Sequence, residues 1–79
     1  MTAPAPMLTP AQRRVVAEIA RGLTRADIAA LLHISPHTVK AHLRTASRNL
    51  GARNAPHLVA LAIAQRHIPA GTALTEGEK

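Results

Sequence analysis

Apolar residues recur at helical spacing in four segments of this chain, and short capping signals separate them. Thr9-Pro10-Ala11-Gln12 opens the first segment. Thr9 can accept the Gln12 backbone N–H while the Gln12 side chain reaches back, and Pro10 stands where a missing N–H costs nothing. Val15, Val16, Ile19 and Ala20 follow, and Gly22 ends the helix. Thr24-Arg25-Ala26-Asp27 repeats the signal before Ile28, Leu31 and Leu32, on a second helix that stops near His33. Ser35 as N-cap and Pro36 at the first helical position start a third helix, predicted to run to Leu50 with Gly51 as its stop. Asn54 caps a fourth, with Pro56 in its first turn, predicted to continue to about Arg66. No strand alternation occurs and no segment repeats. The expectation is an all-α domain of four helices over residues 8–68. A flexible Pro- and Ala-rich lead at 1–7 precedes it, and a flexible tail at 69–79, with no apolar face to bury, follows.

The third helix separates into two faces when its residues are placed at 100° intervals. Val39, Leu43, Ala46 and Leu50 form a narrow stripe that should pack on the first two helices. His37, Lys40, Ala41, Arg44 and Arg48 fall on the opposite side, and the helix contains no acid. An ordinary solvated face interleaves signs to gain i,i+4 pairs; a face that meets phosphates omits them. With the second helix and the tight turn at His33-Ile34-Ser35, this is the pattern of a helix-turn-helix whose second member enters a DNA groove.

Composition narrows the partner. The net charge is +6, and residues 1–68 hold nine Lys/Arg against only Glu18 and Asp27, a balance that suits a polyanion. The chain has no Phe, Tyr or Trp. Single-strand and RNA-binding modules stack bases on aromatic rings, so duplex DNA is the favoured ligand. With 79 residues and no cysteine, the domain must hold itself together by helix packing alone and has no room for a deep pocket.

Roles follow from reach. Lys40 and Arg44 can donate to guanine O6 and N7, and Ala41 between them lets the helix approach and touch a thymine methyl. These three are the expected base readers. Thr38, His37 and His42 sit toward the flanks, and Arg48 and Arg25 lie where they meet the backbone on either side. Contacts of that kind set register and affinity rather than sequence preference.

At this point the chain resembles the LuxR/GerE-type DNA-binding domain. The matching stretches are Leu8-Thr9, Ile19-Ala20-Arg21-Gly22-Leu23-Thr24 and Asp27-Ile28-Ala29, then Leu32-His33-Ile34-Ser35, Thr38-Val39-Lys40-Ala41-His42-Leu43 and Leu50-Gly51-Ala52-Arg53-Asn54. The likeness covers residues 8–68. It implies a four-helix fold, a DNA-reading third helix with Lys40, Ala41 and Arg44 at the base-reading places, and a fourth helix that serves as a dimer contact. The chain differs in the first helix, where Ala11-Gln12-Arg13-Arg14 stands in place of the usual Arg-Glu-x-Glu. Internal ion pairs made by those acids must be replaced or lost. Since 79 residues leave no space for a receiver or ligand-sensing domain, the chain resembles the stand-alone members.

The fourth helix is apolar almost all round. Leu58, Leu61 and Ala62 are expected to cover the core, which leaves Val59, Ala60 and Ile63 as the contact of a weak two-fold homodimer that pairs two recognition helices. Five histidines raise the question of a metal, but His33 and His37 straddle the turn, and His37 and His42 are wrongly spaced for one face. Neither a metal nor a cofactor is expected. Ser35 and Ser47 read as a cap and a surface residue, so no enzyme is expected either. His57 reads as a first-turn surface residue and His67 as a helix C-terminal one. The competing reading is an adaptor that docks the helix-turn-helix on RNA polymerase or another regulator and has only non-specific DNA affinity. No apolar run approaches a membrane span and the N-terminus lacks a signal pattern, so a cytoplasmic protein is expected.

Overall fold

The described residues form four helices: α1 (Pro10–Ala20), α2 (Arg25–Leu32), α3 (Pro36–Leu50) and α4 (Ala55–Ala64). The structure is a computed structural model that describes residues 7–69. The lead and tail expected at 1–7 and 69–79 fall, apart from Met7 and Pro69, outside the described residues. No strand occurs among the described residues.

Each helix begins where a side chain can satisfy its free amide groups. Thr9 Oγ1 accepts from Gln12 N–H at 3.1 Å while Gln12 Oε1 accepts from Thr9 N–H at 3.1 Å. Thr24 and Asp27 repeat that reciprocal pair at 3.1 Å in each direction. Ser35 Oγ accepts from Thr38 N–H at 3.0 Å. Asn54 Oδ1 accepts from His57 N–H at 2.8 Å, and His57 Nδ1 in turn accepts from Arg53 N–H at 3.1 Å. His57 is therefore half of a capping arrangement, not merely a surface residue.

The helix ends share one geometry. In each, an amide just past the helix donates to a carbonyl five residues back: Leu23 to Glu18 at 3.1 Å, Ile34 to Ala29 at 3.0 Å, Ala52 to Ser47 at 2.8 Å, and His67 to Ala62 at 2.8 Å. The residue before each donor is left-handed: Gly22 (φ 98°), His33 (φ 59°), Gly51 (φ 76°) and Arg66 (φ 63°). For His33 and Arg66, which carry a Cβ, that conformation costs about 1–2 kcal/mol each. The same turn ends α4 at Ala64, two residues before the predicted Arg66.

The core is aliphatic. Val15, Val16, Ile28, Val39 and Leu58 are fully buried, joined by Leu8, Ala29, Leu43, Ala46, Ala62 and Ile68. α1 and α3 each pack against the other three helices, so they form the centre and α2 and α4 flank them. Leu8, just before α1, and Ile68, just after α4, pack into this core. Two expectations on apolar faces need correction. Leu31 is 47% exposed, because Ile28, Ala29 and Leu32 already define the inward face of α2 and Leu31 lies well round from it. On α4, Val59 and Ile63 are half-buried and pack against the core, whereas Leu61, expected inside, is half-buried without joining the cluster.

Glu18 is the unexpected core residue, only 5% exposed. Its Oε2 accepts from Arg14 Nε at 2.9 Å, and its Oε1 lies 3.8 Å from Arg21 Nη1. A buried carboxylate needs such partners.

Candidate nucleic-acid interface

The cap and core contacts of α3 fix which way it faces. Val39, Leu43 and Ala46 are buried, so His37, Lys40, Ala41, Arg44 and Arg48 are exposed together on the outer side. Thr38, His42, Thr45 and Asn49 are half-buried along one flank. Leu50, expected in the core stripe, is half-buried and packs against it.

Two hollows divide the outer face. One, of about 270 Å³, is lined by His37, Lys40, Ala41, Arg44 and Thr45. Ala41 has no side chain beyond Cβ, so its neighbours stand above it and form the walls. The second, of about 180 Å³, lies between helices and is lined by Arg25, Lys40, Leu43, Arg44, Ser47, Ala55 and Leu58. Lys40 and Arg44 border both. Arg25 and Ala55 are the first residues of α2 and α4. Two helix N-termini, which carry partial positive charge, thus join three cations around one small concavity.

Electrostatics on this face are unopposed. Among the described residues the carboxylates are Glu18 and Asp27. Glu18 is engaged by Arg14 and Arg21, and Asp27 accepts the Thr24 amide. Neither pairs with Lys40, Arg44, Arg48 or Arg25. Thr38 differs from the charged candidates because its Oγ1 is 2.9 Å from Ser35 Oγ. Since Ser35 Oγ also accepts the Thr38 amide, the two hydroxyls share one internal hydrogen bond and keep one proton to donate outward.

The structure brings His37, Lys40, Ala41 and Arg44 into one hollow and Arg25 with Lys40 and Arg44 into another. Thr38, His42 and Arg48 line neither. Val59, Ala60 and Ile63 sit on α4, away from these hollows, and Ala60 is the exposed one of the three. Thr45, Ser47 and the start of α4 were not among the candidates. Thr45 lies one turn beyond Ala41, a spacing that would have found it; Ala55 needs the packing of α4 on α3 and no local signal marks it. No group of three or more possible metal ligands occurs among the described residues, and none of their helices is long and apolar enough to cross a membrane.

A family model described as bacterial regulatory proteins, luxR family, matches residues 6–62. The chain is 43% identical over 65 residues to a transcriptional activator protein, BjaR1, of Bradyrhizobium diazoefficiens, covering 82% of this chain and 27% of that protein. It is 38% identical over 63 residues to a nitrate/nitrite response regulator protein, NarP, of Escherichia coli, covering 80% of this chain and 29% of that one. The chain thus spans less than a third of the length of these two relatives. No solved structure matches it significantly.

Proposed function

The chain belongs to the luxR family of bacterial regulatory proteins, and from that premise we propose that it binds duplex DNA with α3 in the major groove and so regulates transcription. The observation that carries this reading is the exposed, acid-free face of α3, where Lys40 and Arg44 flank Ala41 over one hollow. A lysine or arginine reaches guanine O6 and N7, and an alanine admits a thymine methyl. Each good bidentate pair is worth about 1–3 kcal/mol of discrimination between bases. His37 and Thr38 at the helix start, His42 on its flank, Arg48 near its end and Arg25 across the second hollow take the phosphates. Their part is affinity and register.

Two copies joined through α4 would present two such helices to neighbouring half-sites. Val59, Ala60 and Ile63 are the residues assigned to that contact. Val59 and Ile63 already give part of their surface to their own core, so the area left for a partner is small and the dimer forms chiefly on DNA.

Selection of bound duplexes from a random pool at physiological salt, followed by sequencing, tests the reading. Enrichment of a short motif is expected, arranged as an inverted repeat if the dimer forms. Salt-sensitive binding with no enriched motif overturns base reading and favours an adaptor with non-specific affinity.

A further inference from the structure

A second cationic surface lies away from α3. Pro10, Arg13, Arg14 and Ala17 follow one another at i+3 and i+4 spacing along one side of α1, and with His67, Ile68 and Pro69 they line a groove of about 410 Å³. A neighbouring groove of about 520 Å³, lined by Ile63, Arg66, His67, Ile68 and Pro69, shares its last three residues. The two make a continuous channel between α1 and the end of α4. Its floor is apolar, from Ala17, Ile63, Ile68 and Pro69. Its rim is basic. Arg14 is engaged by Glu18, but among the described residues the Arg13 side chain donates only to the Leu8 carbonyl, at 3.5 Å. Arg66 has no side-chain partner among the described residues.

This surface differs in kind from the face of α3. A phosphate backbone has no use for an apolar floor, and the floor here is bordered by cations rather than covered by them. We propose that the α1/α4 channel is a docking site for an acidic amphipathic segment of another protein, with apolar side chains on Ile63 and Pro69 and carboxylates on Arg13 and Arg66. Charge complementarity selects this occupant. A second copy would set two basic rims against each other. The chain's own residues 70–79 hold Glu76 and Glu78 but only Leu74 as a large apolar residue, too little to fill the floor. The assignment does not depend on the reading of α3, but it shares Ile63 with the α4 contact proposed above, so a docked segment and a second copy on α4 compete for that residue.

The test is an NMR titration of the isotope-labelled full chain. The probe is a synthetic helical peptide with leucines on one face and aspartates and glutamates on the other. Shifts are expected at Arg13, Ala17, Ile63 and Arg66 to Ile68. The pair Arg13→Glu and Arg66→Glu, both at exposed positions, should weaken binding about tenfold or more with an unchanged melting curve. Replacing the probe's leucines by serine should weaken it comparably. Shifts centred on α3, or an affinity indifferent to both changes, would overturn the proposal. So would tighter probe binding by the Glu76→Gln, Glu78→Gln variant, because the chain's own tail would then be the occupant.

Discussion

α1 and α3 both carry cations, but Arg14 of α1 and Arg21 at its end are matched with an acid, whereas no acid is matched with those of α3. On α1, Glu18 lies buried between Arg14 and Arg21 and takes up charge from both. On α3, Lys40, Arg44 and Arg48 stand on an exposed face with no acid anywhere in the helix. The difference teaches that a net charge of +6 says little until each cation is matched with its acid. Arginine near a buried carboxylate is part of the fold, whereas arginine facing only water is ready for a ligand.

The comparison breaks most completely if α3 loses its cations. Lys40→Ala with Arg44→Ala should lower affinity for the selected operator about a hundredfold or more and erase its preference over random duplex, read by titration with both DNAs. On the other side, Glu18→Gln removes the charge between Arg14 and Arg21 and should destabilise the fold by about 1–3 kcal/mol in denaturant unfolding. Operator affinity of the folded protein should be unchanged. A matching loss of binding would mean that Glu18 shapes the interface as well as the core. Arg48→Ala sharpens the contrast within α3. It should weaken all duplexes alike by a few fold and reduce the slope of log affinity against log salt by about 0.9, the share of one phosphate. Smallest is Arg14→Ala. The arginine side chain is 53% exposed and Arg21 still faces Glu18, so the loss should stay at about 1 kcal/mol or less.

The helix starts are legible in the sequence because each depends on residues no more than four apart. Thr9 with Gln12, Thr24 with Asp27, and Ser35 and Asn54 before their prolines mark the starts wherever the rest of the chain packs. The ends at Gly22 and Gly51 are legible for the same reason, since glycine takes a positive φ without strain. Arg66 gives no such warning, and the predicted end of α4 overshoots there. The faces of α4 are harder to read. A helix of Leu58, Val59, Ala60, Leu61, Ala62, Ile63 and Ala64 has little amphipathic contrast, so tertiary packing alone decides that Val59 and Ile63 turn inward more than Leu61. The partners of Glu18 and His57 are hard to read for a related cause. A lone acid or imidazole looks solvated until neighbours three or four residues away are paired with it, Arg14 and Arg21 with Glu18, and Arg53 and Asn54 with His57. For the candidate site, the exposed face of α3 follows from periodicity, but the hollow that joins Arg25 and Ala55 to Lys40 and Arg44 exists only once three helices meet.

The paired caps also have a kinetic consequence. With a start signal held in every helix and a glycine stop after α1 and α3, most segments can sample their native limits before any long-range contact forms. Chains dominated by such local contacts fold in about microseconds to milliseconds. The outward side chains of α3 take no part in the core, so they stand outside whatever nucleus forms. Lys40, Ala41 and Arg44 can therefore change without slowing assembly, and on the reading of α3 proposed above the domain could acquire new operator preferences in that way.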